Sequence, residues 1–372
     1  MKKVLSLLVV FVLALSLAAC GQSSSGSTTT PSGSVGSSGA SGSADYSDTK
    51  LVLMVSAFGD LSYMDAAKKG VESLGELGYQ TQYVECGEDS SKYEAYVLDI
   101  CDSGADYLIC GATYKDYVEA AAPSYPDMRF ILFDTAREIE NPLENVYYIS
   151  YAQNEGSYLV GMVAAAMSES GVIGTIGGMQ NPTICDFMVG YMAGAQAYNP
   201  EIKVVNGFMG NWTDTAMMQE LYTAQYNTYK ADVCFPLSGN AGVGVFEAAH
   251  KLGTYAIGVD SDQYQLYSDQ GNAYAEVILT SMLKEAGNSI YSTFMRINDG
   301  EELFGTAEVL GLSTGSVGYV DNDHFRELVP ADAIAKVEAA AQDIADGKVT
   351  VPSYYDFGSE EEFTKYAQSF VP

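Results

Sequence analysis

Short apolar runs, each about the length of a strand and most without polar–apolar alternation, recur along this chain with helix-length segments between most of them. The runs are Leu51–Phe58, Tyr79–Glu85, Asp106–Ala112 and Arg129–Asp134, then Val172–Gly177, Ile202–Gly207, Ala231–Leu237 and Tyr255–Val259. Ser62–Leu77, Thr183–Ala197 and Thr215–Tyr229 carry the helical pattern. A strand with one wet face alternates, whereas a strand covered on both faces does not. The pattern therefore predicts parallel sheets with helices on both sides, an α/β fold. No stretch of about 20 to 50 residues repeats itself, which argues against a solenoid.

Two Rossmann-like lobes account for the number of strands. Residues Asn145–Tyr151 read as a strand that runs directly into Gln153–Ser157 and a new helix, a first passage between lobes. Gly258–Gln263 fits a second passage and Gly311–Gly318 a third. The expected first lobe is residues 49–152 with 263–305, and the second is 153–262 with 306–372. Two lobes joined three times resemble the type I periplasmic-binding-protein architecture, which holds its ligand in the cleft between them.

The N-terminus carries a different signal. Lys2 and Lys3 precede an almost unbroken apolar stretch, Val4–Ala19, which ends at Leu17-Ala-Ala-Cys20. A basic tip, a short apolar run and small residues before a cleavage point form a secretory signal, too short to span a membrane. Residues 1–20 resemble a lipoprotein signal peptide and lipobox, in which Cys20 takes the lipid. Residues 21–48 are dominated by Ser, Gly and Thr and read as a flexible tether. More than one acyl chain is needed for stable anchoring, and a diacylglycerol supplies it. The expected address is the outer face of a bacterial cytoplasmic membrane, touched through the lipid only.

Roughly 320 residues remain past the tether, enough for about two domains. The net charge of −30 repels nucleic acid and anionic head groups, so neither is an expected partner. Cys86, Cys101, Cys110, Cys185 and Cys234 each sit in an apolar segment, with no CxxC pair and no Cys/His cluster. They read as buried small hydrophobes rather than disulfides or metal ligands, and no metal or cofactor is expected.

Several segments carry a family resemblance. Asn145–Gly161 is similar to the crossing segment of the basic membrane protein (BMP) family of lipoproteins, which are similar to the purine nucleoside receptor of spirochaetes. Gly177–Gly190, Asn199–Val204 and Gly210–Asp214 continue the likeness. Gly239–Ala249, Ala256–Gln263 and Leu279–Lys284 follow in the same order. The resemblance implies an ABC-importer binding protein that captures a nucleoside, purine-type first, and delivers it as a monomer to a permease driven by an ATPase. A sugar, free base or signalling molecule is the alternative cargo.

Site residues follow from combining this resemblance with chemistry. A nucleoside offers vicinal hydroxyls, which suit a carboxylate, and a flat base, which suits aromatic faces. Asp260 ends a strand, where α/β folds place ligands, so it is assigned to the ribose; a helix cap is its structural alternative. Lys284, expected on the next helix, reaches the same sugar in this family. Gly239 and Gly242, with Gly244, open a helix after a strand, either to bring backbone N–H groups to the ligand or for tight packing. Trp212 lies where the family has Phe or Trp, and Tyr63 where it has Phe; both are candidate base platforms. Asp60 and Ser62 belong to the Gly59–Met64 motif, where the family shows Asp-Lys-Ser-Phe-Asn. Leu61 replaces its Lys and Met64 its Asn, which removes an amide that could read the base edge. Asp134 ends the fourth strand of the first lobe, a place for a ligand contact, a hinge or a cap.

An enzyme is the rival class. A hydrolase needs an activated nucleophile or a paired acid and base. The two histidines, His250 and His324, sit in no triad motif, and GxSxG and HExxH are absent. Binding without turnover is the expectation.

Overall fold

The computed structural model describes residues 45–372. The signal segment, Cys20 and the tether as far as Ala44 lie outside the described residues. Among those described, no helix is long and apolar enough to cross a membrane.

The first part of the chain alternates strand and helix. It runs β1 (Lys50–Val55), α1 (Tyr63–Glu76), β2 (Gln80–Glu85), α2 (Tyr93–Asp102), β3 (Tyr107–Gly111), α3 (Lys115–Ala121), β4 (Arg129–Phe133) and β5 (Val146–Tyr151). Every residue of β5 is buried, as an unalternating run requires. The next part repeats the scheme: α4 (Gln153–Met167), β6 (Val172–Gly177), α5 (Pro182–Tyr198), β7 (Lys203–Phe208), α6 (Thr215–Tyr229), β8 (Val233–Leu237), α7 (Val243–Leu252), β9 (Tyr255–Asp260), α8 (Gln263–Asp269) and β10 (Ile278–Lys284). Then follow α9 (Ala286–Asn298), β11 (Thr306–Leu310), β12 (Val317–Tyr319), α10 (Asp323–Leu328), α11 (Ala331–Ala345) and α12 (Glu360–Gln368).

Two six-stranded sheets result, ordered β11-β5-β4-β3-β1-β2 and β12-β10-β9-β8-β6-β7. All pairings are parallel except β12 on β10. The two orders are the same doubly wound scheme, with the strand order reversing at β1/β3 and at β6/β8. This is the type I periplasmic-binding-protein fold expected of the sequence.

The chain passes between the sheets after Tyr151, after Lys284 and between Leu310 and Val317. The second passage therefore falls more than twenty residues later than the Gly258–Gln263 segment expected to carry it. Residues 263–284 belong with the second lobe. The first regains the chain at α9 and keeps it through β11, so residues 306–310, expected in the second lobe, pair with β5 in the first. The cause is β10. Leu, Met and Lys give Ile278–Lys284 a helical look, but the segment is a central strand buried on both faces. Tertiary burial overrides propensity there.

Small residues let the helices approach closely where the lobes need it. A Cβ added at Gly194 of α5 would collide with the Tyr158 carbonyl of α4, and one at Gly70 of α1 with the Gly287 carbonyl of α9. The five cysteines among the described residues are free and buried.

Candidate functional site

The site begins with backbone strain. Asp134, just past β4, and Asp260, ending β9, have φ of 62° and 65°. Both are in the left-handed region, which Asp visits more readily than most residues but still at a cost. The strands they terminate hold equivalent places in the two sheets, each fourth from the outer edge at β2 or β7. Each lobe thus presents one carboxylate from the same position.

A third strand end supplies the cation. Lys284, expected on a helix, is instead the last residue of β10 and is almost fully buried. Its Nζ donates to Asp134 Oδ2 at 3.1 Å across the cleft and lies 4.0 Å from Asp260 Oδ1. The ammonium sits over three rings, Tyr63 at 4.7 Å, Phe187 at 5.3 Å and Tyr151 at 5.8 Å, within cation–π range. Burial alone would depress the Lys284 ammonium, but Asp134 and Asp260 outweigh it and hold the group charged. Burial pushes the Asp260 carboxyl up, and Lys284 and Ser62 pull it back.

Ser62 fixes one face of Asp260. Its hydroxyl donates to Asp260 Oδ2 at 2.6 Å, and Ser261 Oγ donates to the Leu61 carbonyl at 3.0 Å. Asp260 Oδ1 is buried and has no hydrogen-bond partner. One oxygen of Asp260 is thus taken, and the other waits for a donor. Two carboxylates around one ammonium leave a formal excess of negative charge, so the arrangement suits a neutral donor such as a hydroxyl and disfavours an anion.

Asp60 serves a different end. Its carboxylate accepts from the backbone N–H of Ser62, Met64 and Asp65, while Asp65 accepts from Gly59 and Leu61. The pair locks the loop in which Leu61 has φ 50°, and so aims Ser62 and Tyr63 across the cleft.

The aromatic pair is divided. Tyr63 lies in the buried cluster, tilted against Phe133 at 5.2 Å. Trp212 packs over Gly178 and is 43% exposed, in a loop where Asn211 caps Thr213 and Asp214. Gly239 takes φ 47° directly after β8, a conformation that favours glycine. A Cβ at Gly242 would press on the Pro236 ring and one at Gly244 would collide with the Thr215 carbonyl, so packing accounts for both glycines.

Sequence reasoning missed a second charged contact between the lobes. Arg137, in the loop after β4, donates to Asp186 Oδ2 of α5 at 3.1 Å and to Asn154 Oδ1 of α4 at 2.5 Å. Asp186 is completely buried. The signal was a lone acid inside the apolar Ile184–Met192 stretch, since a buried carboxylate needs a partner. A groove of about 1040 Å³ also runs between α1, α9 and the β12 end of the second lobe; it reaches Ser62 and Asp260 but is not lined by Asp134, Lys284, Tyr63 or Trp212. Among the described residues no group of three or more metal-type side chains is gathered.

Two doubly wound lobes, three passages and a buried, partly unsatisfied polar cluster between them are the make-up of a two-lobed binding protein for a small ligand. Residues 49–349 match the Bmp family, described as ABC transporter substrate-binding protein PnrA-like, and the chain belongs to that family. It is 32% identical over 323 residues to the ABC transporter nucleoside-binding protein BmpA of Lactococcus lactis subsp. cremoris (strain MG1363), covering 82% of this chain and 90% of that one. It is 27% identical over 329 residues to Basic membrane protein A of Borreliella burgdorferi (strain ATCC 35210 / DSM 4680 / CIP 102532 / B31), covering 87% and 91%. The fold is also that of an ABC transporter solute-binding protein from Aeropyrum pernix K1, with a TM-score of 0.71, 22% identity, and 87% and 97% of the two chains covered.

Proposed function

We propose that this chain is a lipid-anchored receptor that captures a nucleoside between its lobes and hands it to a membrane permease. The observation that carries the reading is the free Oδ1 of Asp260, buried beside a protonated Lys284 and opposite Asp134. A ribose hydroxyl supplies the missing donor, and the Lys284 ammonium can donate to a neighbouring hydroxyl oxygen. Tyr63 offers a ring to the base, with Trp212 on the second lobe as its counterpart once a ligand is bound. A relative that shares about a third of its residues is named for nucleoside binding, which supports the same cargo.

Cys20 would carry the anchor and residues 21–48 the reach, which sets the protein on the outer face of a bacterial cytoplasmic membrane. Closure over ligand would present both lobes to the permease, because only the closed form touches the ligand from both sides. Relatives named as binding proteins support capture without turnover, and no cofactor is called for.

A sugar is the second reading, and one observation favours it. The polar atoms of the buried cluster serve hydroxyls, while Trp212 stands apart in the open. The deciding experiment is calorimetry on the mature protein with inosine, guanosine, adenosine, the free bases and ribose. Nucleosides should bind and be recovered intact. Binding of ribose or another sugar with no gain from a base would refute the nucleoside reading, and release of free base would make the protein an enzyme.

A further inference from the structure

We infer that Arg137 and Asp186 form a latch that helps hold the lobes shut, framed by the C-terminal strap Val351–Tyr355, so that Arg137 sets ligand affinity as a positioning residue through closure. This goes beyond the identity of the cargo and does not depend on it.

The argument starts from who contributes what. Asp186 stands in the first turns of α5, fully buried, and one of its oxygens is filled by its own lobe. Ser353 Oγ donates to Oδ1 at 2.6 Å and the Tyr354 N–H at 2.8 Å. The other oxygen, Oδ2, receives Arg137 from the first lobe at 3.1 Å. Asn154 completes the frame: its Nδ2 donates to the carbonyls of Val351 and Pro352, both at 3.1 Å, and its Oδ1 accepts from Arg137. The Tyr355 ring lies 5.2 Å from the guanidinium.

The frame is anchored without Arg137. Ser353 and Asp356 form a capping box, and Phe363, Ala367 and Phe370 of the last helix and its end are buried in the main core. The Phe370 carbonyl accepts from Val204 N and the Ala367 carbonyl from Asn206 Nδ2. The strap also lies past Val349, where the match to the family ends. Everything around the socket therefore belongs to the second lobe, and the first lobe contributes one side chain.

Opening the cleft withdraws that side chain. It leaves a buried carboxylate with its cation gone, which costs far more than separating two surface charges. Closure thus carries a favourable term of its own, and ligand affinity falls by the fraction of molecules that are binding-competent.

The test uses the full mature chain and three variants: Arg137→Gln, Arg137→Lys, and Arg137→Gln combined with Asp186→Asn. Small-angle scattering with no ligand added should show Arg137→Gln shifted towards a more open form, Arg137→Lys between it and the parent, and the double variant no more open than Arg137→Gln. Affinity for inosine and for guanosine should weaken by the same factor, about tenfold, within the usual range of site-to-site coupling. The scattering result stands whether or not a nucleoside proves to be the cargo. A scattering curve unchanged in Arg137→Gln, or a variant that loses thermal stability with neither opening nor loss of affinity, would overturn the proposal. Unequal losses for the two nucleosides with no change in opening would make Arg137 a ligand contact instead, and overturn it too.

Discussion

Replacing Lys284 by Met tests whether the charged cluster is as dry as its burial implies. Met keeps most of the volume, so packing changes little, but the ammonium between Asp134 and Asp260 is lost. Lys284 has a side-chain exposure of 5%, Asp134 of 18% and Asp260 of 10%. Removing one partner from a buried ion pair costs about 3–5 kcal/mol. Asp134 reaches some water, which brings the expected loss to the lower end, about 3 kcal/mol at neutral pH.

The pH dependence distinguishes this loss from a packing defect. Burial already pushes the Asp260 carboxyl up, and Lys284 is what pulls it back. Without the lysine it should rise further, so that over part of the pH range the folded carboxyl keeps a proton that the unfolded chain has released. The native variant then holds one proton more than its unfolded chain, so its stability falls as pH rises, by up to about 1.4 kcal/mol per pH unit. The sign for Lys284 itself is consistent: its folded value is raised, so the parent keeps that stabilisation at all pH below the ordinary lysine range and loses it only above. Urea unfolding of parent and variant between pH 5 and 8 measures the difference. It should widen with pH and shrink again when Asp134→Asn is added. A difference that is flat with pH, or below about 1 kcal/mol throughout, would mean that the carboxylates are hydrated and the cluster is not preorganised.

Three further outcomes are expected. Asp260→Ala should weaken ligand binding by about 1.5–3 kcal/mol, read by calorimetry, and the loss should appear for ribosides and not for free bases. Ligand should quench the emission of the chain's single Trp, and Trp212→Ala should cost about 1–3 kcal/mol of affinity with Trp212→Phe costing much less; unchanged emission on binding would remove Trp212 from the site. Gly194→Ala, which drives a Cβ into the Tyr158 backbone, should lower stability by about 1–3 kcal/mol in urea while ligand affinity in the folded fraction stays the same.

The strands were legible because an unalternating apolar run has few other uses in a chain of this charge. Ile278–Lys284 escaped because periodicity does not separate a short buried strand from a helix, and no Gly or Pro brackets it. Asp260 was legible as a strand-end acid. What the chain order did not reveal was that Ser62, 198 residues away, occupies one of its oxygens. Arg137 and Asp186 stand 49 residues apart, on different lobes, and only the lone acid in α5 hinted that a cation must come from somewhere. Local pattern encodes elements, and contacts across a cleft depend on how two elements meet.

The duplication of the fold explains why the cluster holds these charges. β4 and β9 are equivalent strands, and an aspartate with left-handed backbone directly follows the one and ends the other. Bringing the lobes together brings two like charges together, which opposes closure unless something stands between them. The next strand over differs in the two lobes: β5 ends in Tyr151, whereas β10 ends in Lys284. That single asymmetry turns a repulsive pair into a bridged one, since the lysine of the second lobe bonds the aspartate of the first. The bridge is incomplete, because Asp260 Oδ1 still lacks a donor. Closure without ligand therefore leaves a buried acceptor unpaired, and closure over a hydroxyl does not. On the proposed reading, the difference between those two closed states is one part of the free energy with which a ligand would shift the lobes, and it would act through one oxygen atom of Asp260 and the cation beside it.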